Sequence, residues 1–407
     1  MKSKLKKRAS ILIVLGIFFA ISLIYYSNPC LKATSKEKST DYSDYFTLDG
    51  DNLKISAVSG KIHIINNSGW VDFQNAGNCT GNGTYSDPYV IEDLVIDGED
   101  SGSCILIENS DVYFKIENCS VYNSGGSPTA GILLNYTDNG FLIDNDCSNN
   151  YIGIYLFYSY NNTISGNTVS YNTECGIYLF LNEYNTISGN TANNNYHGIY
   201  LMGSQYNTIS GNTANNNHHG IHLMGSYYNS ISGNTVSYNI ECGIYLEYYS
   251  DYNIISGNTA SNNEYGISLY GNNNRVFGNN ASNNEYGIYL YGNSNRVSGN
   301  TANNNGDGIY LWLSDYNIIS GNTANNNSRG IYLWLSDYNT ISGNILLGNN
   351  ECIVERNCEG NVFENNDCGE GDGIPLELIV LISVFCGCAV IGVVTVLLIR
   401  TKRKRIE

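Results

Sequence analysis

The amino-acid sequence predicts an all-β fold, a right-handed parallel β-helix solenoid of about eleven coils of 21–24 residues. An N-terminal signal or anchor segment precedes it and a C-terminal transmembrane helix follows it. Three observations carry this reading. A phrase with period-two hydrophobicity recurs at near-constant spacing. Gly and Asn stand at fixed places inside each repeat. Uncharged apolar runs with basic flanks lie at the two ends.

The repeat comes first, because self-similarity at a fixed period overrides domain counting by length. NTISGN begins at Asn162 and returns, with variation, at Asn185, Asn207, Asn229, Asn253, Asn274, Asn295, Asn317, Asn339 and Asn361. A second phrase, GIYL, starts at Gly153, Gly176, Gly198, Gly220, Gly243, Gly266, Gly287, Gly308 and Gly330, with a degenerate copy at Gly131. Alternation within each phrase is the strand signature. It puts Asn253, Ile255, Asn258 and Ala260 inside, together with Ile267 and Leu269. A leucine-rich repeat has a similar length, but no helical return is readable here. Stacked coils turn each repeat position into a column. One runs Ile164, Ile187, Ile209, Ile231, Ile255, Val276, Val297, Ile319, Ile341, closing on Phe363, with Ile143 as its earlier member. Two Asn columns flank it, and their amides are expected to bond from coil to coil. The Gly166 column supplies the positive φ of the corner between strands.

The remaining segments follow in order. Residues 1–30 read as a signal peptide or signal anchor, with the apolar run Ile11–Ser27 after a basic start. Residues 31–60 are a polar linker, and 61–127 an N-terminal cap with the first coils. Residues 128–368 are the β-helix repeats, and 369–377 a short acidic stalk. Residues 378–399 are uncharged and long enough to span a bilayer. Residues 400–407 form a basic tail that the positive-inside rule assigns to the cytoplasm. The solenoid is then extracellular on a cell membrane, where its eight N-x-S/T sequons could carry glycans. Of the twelve cysteines, Cys352, Cys358 and Cys368 cluster where an end cap would benefit from a disulfide. Cys175 and Cys242 share a repeat position three coils apart, too far to bond.

Charge excludes one class of partner. The chain carries −17, and ten of its 20 basic residues sit at the two termini. No Lys or Arg lies between Lys115 and Arg275. A nucleic-acid surface needs such residues to neutralise phosphates, so nucleic acid is not expected. The acidic field suits a divalent cation such as calcium.

The repeat NTISGNTAxNNxxGIYL resembles the NosD-like and CASH-type right-handed β-helix families, over roughly residues 90–366. The lead-in GNGTYSDPYVIEDLVIDG at 81–98 looks like the start of such domains in archaeal surface proteins. The resemblance implies the fold and leaves function open among carbohydrate binding, sugar hydrolysis and copper-site maturation. A C-terminal membrane anchor departs from the soluble periplasmic pattern.

Catalytic constellations are sparse. The central coils lack the basic residue that a lyase would pair with a calcium site. Glu264 and Glu285 are equivalent residues of neighbouring coils, as are Asp315 and Asp337, and duplication explains both pairs. No Ser-His-Asp order, P-loop or zinc CxxC spacing occurs. The sharpest local feature is His197, His219 and His222 with Met202 and Met224 in two adjacent coils, where imidazole and thioether together suit copper. Drift of a duplicated tyrosine position explains the same pattern.

The outward positions of GIYL carry the functional expectation. One column contains Tyr155, Tyr178, Tyr200, Tyr245, Tyr289, Tyr310 and Tyr332. The next contains Tyr270, Tyr291, Trp312 and Trp334. Together they predict a two-wide aromatic band along one face, suited to stacking against sugar rings or docking a surface protein. A stabilising tyrosine ladder is the structural counterpart. The expectation is a membrane-anchored binding or display protein without catalysis. The alternatives are a carbohydrate-active enzyme, lyase or hydrolase, and a copper-handling protein.

Overall fold

The computed structural model describes residues 57–369. The expected signal or anchor segment, the transmembrane helix, the basic tail and, apart from Gly369, the stalk lie outside the described residues, as does nearly all of the linker. Among the described residues, no helix is long and apolar enough to cross a membrane.

Each coil contributes one strand to a long sheet and one to a second sheet, and all pairing within the sheets is parallel. The first sheet has 13 strands, from Ile62–Ile65 to Glu351–Arg356, and contains every GIYL segment. The second also has 13, from Tyr89–Glu92 to Val362–Glu364, and contains every TIS segment. A third sheet has three strands, Ala57–Ser59, Leu94–Asp97 and Ser120–Tyr122. It continues as single bridges through Thr168, Thr191, Thr213, Thr235 and Thr259 down to Asp367. The expected three-sided parallel solenoid is present.

The solenoid has about 13 turns rather than eleven, because residues 61–127 form regular coils whose strands pair in register with those that follow. The sequence places the first coils there, but their degenerate phrases kept them out of the count of eleven. One helix, Asn66–Asn75, closes the N-terminal end with Trp70 fully buried. Its ring lies 5.2 Å from Tyr89 and 5.1 Å from Phe114. The repeat rule could not foresee this helix, since it belongs to no coil.

The core is the stack of inward columns. Ile164, Ile187, Ile209, Ile231, Ile255, Val276, Val297, Ile319 and Ile341 are all fully buried, and Ile267, Leu269 and Ala260 join them. Each such aliphatic side chain stabilises the fold by roughly 1.5–3 kcal/mol. Phe363 ends the column, paired with Ile341 but exposed. At the other end the expected member was one residue off. Leu142 pairs with Ile164 and is fully buried, while Ile143 pairs with Ser165 and faces outward. The segment GFLIDN has three adjacent apolar residues and no corner glycine to set its register.

Buried Asn is the second element of the core. Asn212 shows the pattern. Its Oδ1 accepts the Asn190 backbone N–H at 2.9 Å. Its Nδ2 donates to the Ile187 carbonyl and to Asn234 Oδ1, each at 2.9 Å. Each amide thus satisfies corner backbone groups that no strand pairing reaches. Beyond the two expected ladders there is a third, through Asn150, Asn172, Asn195, Asn217, Asn239, Asn263 and Asn284.

Two glycine columns have different causes. Gly166, Gly189, Gly211 and their successors adopt φ near +65°, the corner requirement. The glycine of GIYL has ordinary φ but no room. A Cβ on Gly198 would lie 2.5 Å from the Gly220 carbonyl oxygen and 2.8 Å from Ala214 Cβ. Cys352 and Cys368 form the disulfide at the C-terminal end, while Cys175 and Cys242 are buried and unbonded.

Candidate functional site

The outward face of the 13-stranded GIYL sheet carries three columns rather than two. The missing one is the residue before each glycine: Ile152, Cys175, His197, His219, Cys242, Tyr265, Tyr286, Asp307 and Arg329, continued by Glu351, which precedes Cys352. The glycine lets the backbone turn so that this side chain packs beside the tyrosine two positions past the glycine. His197, for example, lies 4.7 Å from Tyr200, ring to ring.

This third column changes the aromatic band. Tyr155, Tyr289, Tyr310 and Tyr332 are buried, and Tyr178, Tyr200 and Tyr245 are half-buried. They sit between two other columns and stack coil to coil, as in Tyr155–Tyr178 at 4.8 Å and Tyr310–Tyr332 at 4.7 Å. Burial raises the phenol pKa of Tyr178, Tyr200 and Tyr289. These rings form an outer layer that holds coils together. Accessible ring surface is left in the outer column, where Tyr270, Tyr291 and Trp312 are half-buried and Trp334 is 37% exposed. The two indoles stack at 5.9 Å and 18°. On the other side of the tyrosine column Asp307 and Arg329 form a two-pronged ion pair, at 2.5 and 2.7 Å, with the guanidinium over the ring of Tyr332. Burial raises the Asp307 carboxyl pKa, and the Arg329 guanidinium offsets part of that rise. Sequence reading missed this pair. Stacking the repeats in register would have placed the two residues side by side.

The histidines do meet. His197, His219 and His222 are each over nine-tenths buried, with ring centroids 4.9–5.3 Å apart. Burial is the main cause that holds His197 far below the ordinary imidazole range and His219 at about 3, with neighbouring imidazoles adding to it. The Nδ1 atoms of His197, His218, His219 and His222 are buried without a hydrogen-bond partner. The methionines are engaged elsewhere: Tyr178 donates to Met202 Sδ at 3.5 Å and Tyr200 to Met224 Sδ at 3.3 Å. In their place stand carboxylates. Glu247 lies 3.1 Å from His222 Nε2, and Glu241 lies 3.7 Å from His218 Nδ1 and 3.6 Å from His219 Nε2.

The profile of the family described as "Periplasmic copper-binding protein (NosD)" matches residues 62–255, 182–297 and 247–370. The chain belongs to the NosD family. The resemblance read from the repeat thus holds. No curated protein matches the chain. Among solved structures, it is similar to the periplasmic alginate epimerase AlgG, at 15% identity and TM-score 0.43, covering 77% of this chain and 84% of that one. It is also similar to the A-module of the Azotobacter vinelandii mannuronan C-5 epimerase AlgE4, at 14% and 0.41, covering 74% and 91%. The Dettilon tailspike protein stands at 18% and 0.46, covering 73% and 61%. Likeness at this level carries no argument about function.

The copper in the NosD family description meets a compatible donor set here. Imidazole nitrogens without hydrogen-bond partners, in rings that lie against carboxylates, are donors that suit a borderline metal ion.

Proposed function

We propose that this NosD-family solenoid is a surface-anchored, non-enzymatic binding protein, and that its ligand is a neutral polysaccharide lying along the outer column of the GIYL sheet. The anchors are the apolar segments at 11–27 and 378–399. The carrying observation is the stacked, partly exposed Trp312–Trp334 pair. An indole left in water next to a buried tyrosine layer is costly unless something covers it. The indoles are spaced one coil apart, a step comparable with one sugar ring along an extended chain. A planar polar group at their flank, the guanidinium of Arg356 in register with Trp334, suits sugar hydroxyls. The net charge of −17 opposes acidic glycans.

The test is a glycan array probed with the full chain in detergent, wild type against Trp312→Ala/Trp334→Ala. Binding to neutral glycans by the wild type and at least tenfold weaker binding by a folded double variant are expected. Equal binding by the two proteins, or no glycan retained by the wild type, refutes the reading.

A further inference from the structure

A carboxylate-bearing coil, with Glu241 and Glu247, lies against the histidines, and this arrangement goes beyond the glycan reading. We propose that His218, His219 and Glu241 bind one divalent transition-metal ion of borderline character, Cu(II) or Zn(II), at the outer edge of the GIYL sheet.

The donors come from adjacent coils. His219 pairs in register with Cys242, so His218 and Glu241, each one residue earlier, face one another. One donor atom from each of the three residues lies within 4.8 Å of the other two. The carboxylate-to-imidazole separations of 3.7 and 3.6 Å exceed hydrogen-bond length. Two donors at about 2.1 Å on a tetrahedral ion sit about 3.4 Å apart, so both carboxylate–imidazole pairs are already within a few tenths of an ångström of that spacing, and rotation of the His218 and His219 rings, whose donor atoms lie within 4.8 Å, closes the rest.

A second observation points to a ligand. His218 Nδ1 is buried without a partner, and so are the Nδ1 atoms of His197, His219 and His222. An unsatisfied buried polar atom costs roughly 1–3 kcal/mol, and native folds hold few of them. Here four lie in two adjacent coils, and one of them, His218 Nδ1, is the atom that faces Glu241. A metal ion would use the lone pair that the fold leaves empty there.

The surroundings set the metal class. Two imidazoles and one carboxylate are too few oxygens for calcium, which takes six to eight. The thioethers of Met202 and Met224 already accept hydrogen bonds from tyrosine hydroxyls, which argues against a sulfur-rich Cu(I) site. Glu241 and His218 are partly exposed while His219 is buried. The ion would therefore keep one open position toward solvent. His197 stacks on His219 at 5.3 Å and 11°, and Tyr196 stacks on His218 at 4.7 Å. These stacks hold both imidazole planes before any ion arrives.

The test uses the full chain, stripped with a chelator and titrated separately with Cu(II), Zn(II) and Ca(II) in calorimetry. One site per chain for Cu(II) or Zn(II), and none for Ca(II), is expected. Electron paramagnetic resonance of the Cu(II) form should show hyperfine coupling to two imidazole nitrogens. His218→Tyr copies the Tyr196 of the preceding coil, and Glu241→Gln keeps the side-chain shape. Each should weaken binding at least tenfold and leave the metal-free melting temperature unchanged. Met202→Leu/Met224→Leu should bind as the wild type does. No Cu(II) or Zn(II) binding, wild-type affinity in both ligand variants, or loss of binding in the methionine variant would each overturn the proposal. The relative affinity for Cu(II) and Zn(II) decides which ion the site prefers.

Discussion

The inward and outward columns of the GIYL sheet come from the same strands and obey opposite rules. Inside, Ile154, Ile177, Ile199, Ile221, Ile244, Ile267, Ile288, Ile309 and Ile331 repeat without variation, all fully buried. Outside, one column runs through cysteine, histidine, tyrosine, aspartate and arginine within eight coils. An inward side chain must fill a dry space whose only neighbours are its own copies above and below, so one shape fits throughout. An outward side chain borders water, which tolerates mismatch. The interior therefore maintains the solenoid, and the exterior is free to acquire imidazoles in its middle and indoles nearer its C-terminal end.

The sharpest way to break this contrast is to place charge inside. Ile255→Asp puts a carboxylate in a fully buried apolar stack and should cost more than about 4 kcal/mol, read as loss of the cooperative urea transition. A folded variant at neutral pH would show that the column is not the core. Asn212→Ala comes next. It strips partners from the Asn190 N–H and the Ile187 carbonyl, at about 1–3 kcal/mol for each group left unsatisfied. A change under 0.5 kcal/mol in the urea midpoint would mean that water replaces the ladder.

The outer histidines should appear as acid lability of the metal-free protein. Unfolded histidines take up protons as pH falls below about 6.5. In the fold, burial depresses His197 and holds His219 at about 3. Stability from their neutral state is fully present above pH 6.5 and is lost as pH falls toward 3. Glu241 lies against His219 and Glu247 against His222. His197→Tyr/His219→Tyr installs the residue found in the same column at Tyr265 and Tyr286. Its loss of urea resistance between pH 7 and 4.5 should be smaller than that of the wild type. Equal losses would show that the pair does not set the acid limb. The smallest effect belongs to the indoles. Trp312→Ala/Trp334→Ala should lower stability by about 1 kcal/mol, the scale of one stacked aromatic pair. A loss several times larger would assign them to structure.

Much of the fold was readable because the repeat prints the same physical requirement ten times. The Ile column, two Asn ladders and the Gly166 corner follow from spacing and period. Ile143 was misplaced because its coil lacks the corner glycine that marks register, and the early coils went uncounted for the same reason. The third Asn ladder sits in runs of consecutive asparagines, where spacing alone does not tell which one points inward. Of the candidate site, sequence located the histidines and the two tryptophans. It misjudged the tyrosines, because alternation tells which face a residue takes and not how deep its neighbours bury it. Glu241, Glu247 and the Asp307–Arg329 pair appear only when one coil is laid on the next.

By itself the sequence determined the parallel solenoid, its period and its interior, since those rest on local alternation and on identical residues recurring at a fixed interval. The tertiary structure decided which outward residues become neighbours. Residues about 22 apart in the chain come within one strand spacing of each other, so His218 finds Glu241 and Asp307 finds Arg329 only through the rise of one coil. It also decided that a glycine with no room for a Cβ turns the preceding side chain onto the tyrosine layer, burying rings that alternation alone would leave in water.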